Sequence, residues 1–269
     1  MSLSTILALV DPRYGAATMR LAGLASKALL APVDALVVKR DPRDAIPAVG
    51  EGLSGDLIQQ IMDSAEADAE ASAKAARAAF EATSGLENAK LIERTGRAEE
   101  VVARLGRTHG LTILPAGLEG DAVTIDAALF QTGRPALFAP IQEVETLGQR
   151  VAVFWNDSAE AAKALWGAMP FIRQAETVKI FSVGEEDDIA GALARVGEGL
   201  ARSAITVETV AIPPGPGGAS RQLTDAAAAM DADLVVMGAY THSRLRELVL
   251  GGVTQSTLEG LARPTLMAH

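Results

Sequence analysis

The sequence predicts an α/β fold made of two tandem, doubly wound, five-stranded parallel-sheet domains. Three observations predict it. Apolar runs of strand length alternate with Ala- and Leu-rich stretches of helical period, the pattern of βαβ units on a parallel sheet. The opening is repeated: Thr5-Ile-Leu-Ala-Leu-Val-Asp11 and Arg150-Val-Ala-Val-Phe-Trp-Asn-Asp157 are both apolar runs that end at an acidic turn and lead into a helix. The close is repeated too, since Gly133-Arg-Pro-Ala-Leu-Phe-Ala-Pro140 parallels Ala262-Arg-Pro-Thr-Leu-Met-Ala-His269. The domains are expected at 1–145 and 146–269, with the boundary near Ile141 to Gln149. The first copy is the longer, and its extra residues are expected within 42–84.

Taken in order, strand 5–11 precedes a helix at about 15–31 and a second strand, Ala35 to Lys39. A long helix is expected from Asp56 to Ala82. Ser54 is its cap, and Leu57, Ile58, Ile61, Met62 and Ala65 mark one apolar face. Ala89 to Arg94 is a third strand, Ala98 to Thr108 a helix and Leu111 to Pro115 a fourth strand. Asp121 to Gln131 is the last helix of this copy and Ala136 to Ala139 its last strand.

The second copy opens with strand 150–157, a helix at about 158–174, strand Thr177 to Val183 and a helix at about 186–202. A strand from Ile205 to Val210 and a helix at about 219–231 follow. Between them, Pro213-Pro-Gly-Pro-Gly-Gly218 interrupts both periodicities and reads as a loop. Strand 234–237 then leads through a loop to helix 252–261 and strand 265–268.

The chain has 269 residues, is 49% hydrophobic, 4% aromatic, and carries a formal net charge of −10. That length suits two domains of ordinary size. The acidic balance argues against a nucleic-acid face, which needs clustered Lys and Arg. There are no cysteines, which excludes disulfides, thiolate catalysis and Cys-ligated metals. The first apolar run lacks a basic leader and reads as a strand. No run approaches the roughly 18–20 apolar residues of a membrane span, so no membrane partner is expected and the expected location is cytoplasmic.

The run Asp233-Leu-Val-Val-Met-Gly238 carries the strongest functional signal. A buried strand ends in Gly238, and after twelve intervening residues Gly251-Gly252 open a helix through Val253 and Thr254. Free backbone N–H groups and a helix N-terminus then lie at the carboxyl end of a strand, where anions bind in open α/β sheets. Glycine permits close backbone approach and positive φ. The competing reading is that the two glycines only let the loop turn tightly into its helix.

In spacing and flanking elements this tandem chain resembles the universal stress protein family. The family's C-terminal signature is Gly, two residues, Gly, nine residues, Gly, then Ser or Thr. Here Gly238 opens it, Ala239 and Tyr240 are the spacers, Thr241 stands in place of the second Gly, and Gly251 falls in register. Gly252 takes the Ser/Thr position. The resemblance implies a nucleotide-binding-like topology and an ATP or other adenine-nucleotide site in the second domain. Its residues would be Asn156 (or Asp157), Val183, Met237, Gly238, Gly251, Gly252, Val253 and Thr254. Thr241 in place of Gly narrows the phosphate pocket if that position needs positive φ, and Asn156 in place of an acid weakens a contact to adenine.

In the first copy Asp11 matches the strand-one acid and Val38 is near the strand-two position. The loop after Pro115 lacks the glycines, and Glu119 and Asp121 would repel phosphate, so no family-type ATP binding is expected there. The resemblance implies a non-catalytic stress-response module. The alternatives are a nucleotide-independent signalling or scaffold protein acting through dimerisation, and a weak ATPase, for which the loop offers no base, lysine or magnesium carboxylate. Pairing of Ala136–Ala139 with Thr265–Ala268 would make the chain a pseudo-dimer of its two domains, and a further homodimer is compatible with it.

The remaining polar candidates carry less. His242 near Arg244, Arg246 and Glu247 reads as a solvated loop histidine. His109 sits at a helix C-terminus, where it suits the dipole, and three scattered histidines give no metal spacing. Trp155 and Trp166 are expected in or beside the second core.

Overall fold

In the computed structural model the described residues are 5–46, 54–83, 86, 88–117, 122–239 and 261–269. Their strands form one ten-stranded sheet. In the first half, β1 (Ile6–Leu9), β2 (Val33–Lys39), β3 (Ala89–Thr95), β4 (Leu111–Pro115) and β5 (Ala136–Ala139) run in the order β3-β2-β1-β4-β5. In the second, β6 (Arg150–Phe154), β7 (Thr177–Val183), β8 (Glu208–Ile212), β9 (Leu234–Gly238) and β10 (Thr265–Ala268) run β8-β7-β6-β9-β10. Both halves therefore have the same strand order, and every pairing within a half is parallel. The fold class is the α/β sheet that the sequence predicts.

The halves join through their last strands. β5 and β10 pair antiparallel, with Thr265 opposite Phe138, Leu266 opposite Leu137 and Met267 opposite Ala136. All of these residues are buried. The expected pairing of the two closing strands is thus present, and it leaves neither strand as an open edge. The outer edges, β3 and β8, are largely exposed and carry Lys90, Glu93, Arg94 and Glu208, charges that discourage edge-to-edge association.

The central strands are apolar on both faces because helices cover both, as a parallel sheet requires. On one face Ile6, Ala8, Val10, Val151 and Val153 pack under α1 (Gly15–Leu29), the C-terminal part of α2 (Gly55–Ala82), α5 (Ala159–Gly167), α6 (Met169–Ile172) and α7 (Glu186–Ala201). On the other, Leu7, Leu9, Leu114 and Phe138 meet α3 (Ala98–Gly106) and the helix after β4, with Met237 and Met267 from the second half in the same cluster. The core is therefore continuous across the seam. Helix α8 (Gly218–Ala229) covers β7 with Leu223 and Ala227.

Helix ends follow local chemistry. The Ser54 hydroxyl accepts from Leu57 N at 3.3 Å, capping α2 as expected. Ser158 caps α5 through Ala161 N at 3.1 Å. The single helix expected at 158–174 is two, because Pro170 cannot donate to the preceding turn and α5 stops at Gly167.

Helix α2 spans 28 residues, about 42 Å, whereas β2 spans 7 residues, about 23 Å. Its fully buried stripe is Ala69, Ala73 and Ala76. The expected face at Leu57, Ile58, Ile61, Met62 and Ala65 is at best half-buried, since that end of the helix extends past the sheet.

Three other expectations shift. The strand expected at 205–210 lies at Glu208–Ile212, because Ala204 takes a left-handed φ of 59° and Ile205 N donates to Leu200 O, closing α7 first. The helix expected at 121–131 is α4 (Ala122–Asp126) followed by a π-helical turn, Ala127–Gln131. Trp155 is buried as expected, but Trp166 is 57% exposed, on the outer side of α5. Helix 252–261 lies outside the described residues, apart from Leu261. No helix among the described residues is long and apolar enough to cross a membrane.

Candidate functional site

In each half the chain runs outward from the first strand, then crosses back to the fourth. The strand order therefore reverses between β1 and β4, and again between β6 and β9. Such reversal points leave a crevice at the carboxyl ends of the strands, where open α/β sheets bind ligands.

In the second half, the floor of the crevice is set by backbone hydrogen bonds. Trp155 N donates to Phe181 O at 2.8 Å and Ala239 N to Ala268 O at 2.8 Å. Asn156 follows, and its Oδ1 accepts from Ser158 N at 3.3 Å, so the side chain shapes the turn into α5. Asp157 sits at φ 59°. Aspartate tolerates that left-handed conformation better than most residues, and here it turns the chain from β6 towards α5. Its carboxylate is 2.8 Å from Arg195 of α7.

Gly238 closes β9 against the first turn of α5. A Cβ there would lie 2.6 Å from Ala161 N and 2.7 Å from the Glu160 carbonyl carbon. Only a residue without a side chain fits, so its identity has a packing cause whatever else it does. Met237 is buried in the cluster with Phe138 and Met267, and Val183 packs half-buried near Phe154 and Val210. The structure thus brings Asn156, Asp157 and Gly238 together around the start of α5 and places Met237 and Val183 in adjoining core. Gly251, Gly252, Val253 and Thr254 lie outside the described residues, as do Thr241, His242, Arg244, Arg246 and Glu247.

The matching crevice of the first half is built differently. Asp11 Oδ1 accepts from Arg13 N at 2.8 Å and from Tyr14 N at 3.1 Å, so this carboxylate caps the entry to α1. The Tyr14 ring lies on Gly117, where a Cβ would come within 2.9 Å of two of its ring carbons, with Ile141 beside them. The Arg13 guanidinium sits over the same ring, 5.3 Å from its centroid. Val38 is half-buried against the neighbouring core. Sequence reasoning did not single out Tyr14 or Arg195. The signal for Tyr14 was its place three residues after the strand-one acid. No group of His, Asp or Glu among the described residues is arranged to hold a metal ion.

Residues 156–269 match the model of the universal stress protein family. No curated protein matches the chain. Among solved structures, a universal stress protein from Archaeoglobus fulgidus is similar in fold, with TM-score 0.65, 16% identity, and coverage of 98% of this chain and 95% of that one. A functionally unknown protein from Pseudomonas aeruginosa is similar with TM-score 0.55, 16% identity, and coverage of 98% and 92%. At that identity the likeness to both is one of fold, and it extends over the first half as well as the second.

Proposed function

From the premise that residues 156–269 form a domain of the universal stress protein family, we propose that this chain is a tandem, non-catalytic stress-response module. In this reading its second half binds ATP or another adenine nucleotide, and its first half has lost that role. The repeated strand order supports duplication of one unit. The observation that carries the nucleotide reading is the reversal of strand order between β6 and β9, where Asn156 and Asp157 lead into α5 and Gly238 packs against the first turn of that helix.

In this proposal Gly251 and Gly252 supply backbone N–H groups to phosphate, and the first turn around Val253 and Thr254 adds a hydroxyl and a helix dipole. The amide oxygen of Asn156 accepts from the adenine amino group. No described group has the placement of a general base, so binding is proposed without hydrolysis.

Calorimetric titration with ATP, ADP and AMP, with and without magnesium, tests the reading. The expected result is one nucleotide per chain and no time-dependent phosphate release. Gly251→Val is expected to abolish binding while leaving the fold intact. Binding of ATP by that variant with unchanged affinity overturns the site assignment.

The second reading, a nucleotide-independent scaffold, is favoured by Thr241 in place of the second signature glycine and by the absence of the glycine signature after Pro115. Pairing of β5 with β10 also uses both inner edges within the chain. Any homodimer therefore uses another surface.

A further inference from the structure

The two crevices differ most at one position. Val10 N donates to Leu36 O, and Trp155 N donates to Phe181 O, so Val10 and Trp155 hold the same place. Ile6 opposite Leu111 and Val151 opposite Leu234 give the same register. Four residues on from each stand Tyr14 in the first half and Ala159 in the second. The residue at the level of Gly117 in the second half, Tyr240, lies outside the described residues, so the contrast rests on Tyr14 and Ala159.

We propose that Tyr14 is a built-in occupant of the first-half crevice, and that its ring, set on Gly117 under Arg13, restricts small-ligand binding to the second half. This rests on the nucleotide reading only for what the second half takes.

The geometry is that of a site for one planar ring. Gly117 makes room for the ring because it has no Cβ, Ile141 stands beside that point, and a guanidinium lies over the ring. A phenol ring is amphipathic and fits such a half-buried position. Asp11, whose carboxylate lies beside the ring's own backbone, already accepts two N–H groups, and a guanidinium over the ring favours an aromatic face there. With Tyr14 removed, the class of ligand taken is a neutral planar heterocycle such as the base of a nucleoside.

Tyr14→Ala tests this, with adenosine and p-cresol as probes and with calorimetry and thermal unfolding as readouts. Stacking of one ring is worth enough to change affinity by about tenfold or more. Tyr14→Ala is expected to gain one adenosine site absent from the parent, and p-cresol is expected to raise its unfolding midpoint but not the parent's. If the nucleotide reading fails and this proposal holds, the parent binds no adenosine and the variant binds one. If the reading holds and this proposal fails, both bind the same number.

Gly117→Ala is the second arm, since its Cβ displaces the ring without deleting it. It is expected to expose the tyrosine to nitration by tetranitromethane and to gain no adenosine site, because the same Cβ stands where the base would lie. A folded Tyr14→Ala with no added site for either probe overturns the proposal. Should that variant not fold, a Gly117→Ala with unchanged nitration overturns it instead.

Discussion

Nε2 of His109 lies 3.1 Å from Oδ2 of Asp34, and Nδ1 of the same ring donates to Leu105 O at 2.7 Å. One imidazole thus ties the end of α3 to the start of β2, two elements far apart in sequence. His109 is 6% exposed. The contact sits at the amino ends of the strands, opposite the crevices, so it holds the scaffold and takes no part in the proposed binding. His109→Leu leaves the carboxylate and the carbonyl without this partner, and is expected to cost about 2 kcal/mol. Urea unfolding checks it. Adding Asp34→Leu is expected to recover part of the loss, because two apolar groups replace two polar ones; strict additivity of the two changes would contradict the pairing.

The Asp126 carboxyl is pushed above the usual aspartate range by burial. Its Oδ1 is buried with no hydrogen-bond partner among the described residues. The sign follows from the folded state holding the proton more tightly than the unfolded chain. Stability then falls as pH rises from the unfolded aspartate value, about 3.9, through the higher folded one. Asp126→Asn removes the charge and is expected to raise the unfolding midpoint at pH 7, with the gain vanishing near pH 3. Thermal unfolding across that range measures it, and a gain independent of pH would refute this cause.

Leu30 ends α1 with φ 51°, and the residue is 88% exposed. The left-handed conformation lets its N–H reach Ser26 O, but a branched residue is strained there. Leu30→Gly keeps the cap, relieves the strain and removes an exposed apolar group. It is expected to stabilise by about 1 kcal/mol, read as a higher urea midpoint; a lower midpoint would show that the leucine has a partner of its own.

These positions also show how far the sequence could be read. Strands such as Leu111–Pro115 and Ala136–Ala139 were legible to the residue, because an apolar run buried on both faces has sharp ends. The Pro135 and Pro264 runs made the repeat legible, and the resemblance supplied the expectation that their strands, β5 and β10, pair. The break at Gly167 was carried by Pro170, but the apolar period through Phe171 and Ile172 masks it. The start of β8 was not legible, since nothing local says that Ile205 completes a helix cap. The resemblance put Asn156 and Asp157 after the first strand of the second half and Gly238 at the end of its fourth, and they stand at the carboxyl ends of β6 and β9. Tyr14 was not legible, because its role depends on Gly117, more than a hundred residues away.

Gly238→Ala separates packing from binding at the one signature glycine whose surroundings are described. The added Cβ meets main-chain atoms of α5, Ala161 N at 2.6 Å and the Glu160 carbonyl carbon at 2.7 Å. Backbone cannot rotate away as a side-chain tip can, so α5 must shift from β9 and from the seam it helps cover. Overpacking of this kind costs about 1–3 kcal/mol, and the variant is expected to lose that much stability whether or not nucleotide is present. Its nucleotide affinity is expected to fall as well, because Asn156 and Asp157 lead into the start of α5. Urea unfolding alongside calorimetry resolves the two effects. A variant as stable as the parent would show that α5 does not rest on Gly238, and the crevice would then lose the element that sets its width.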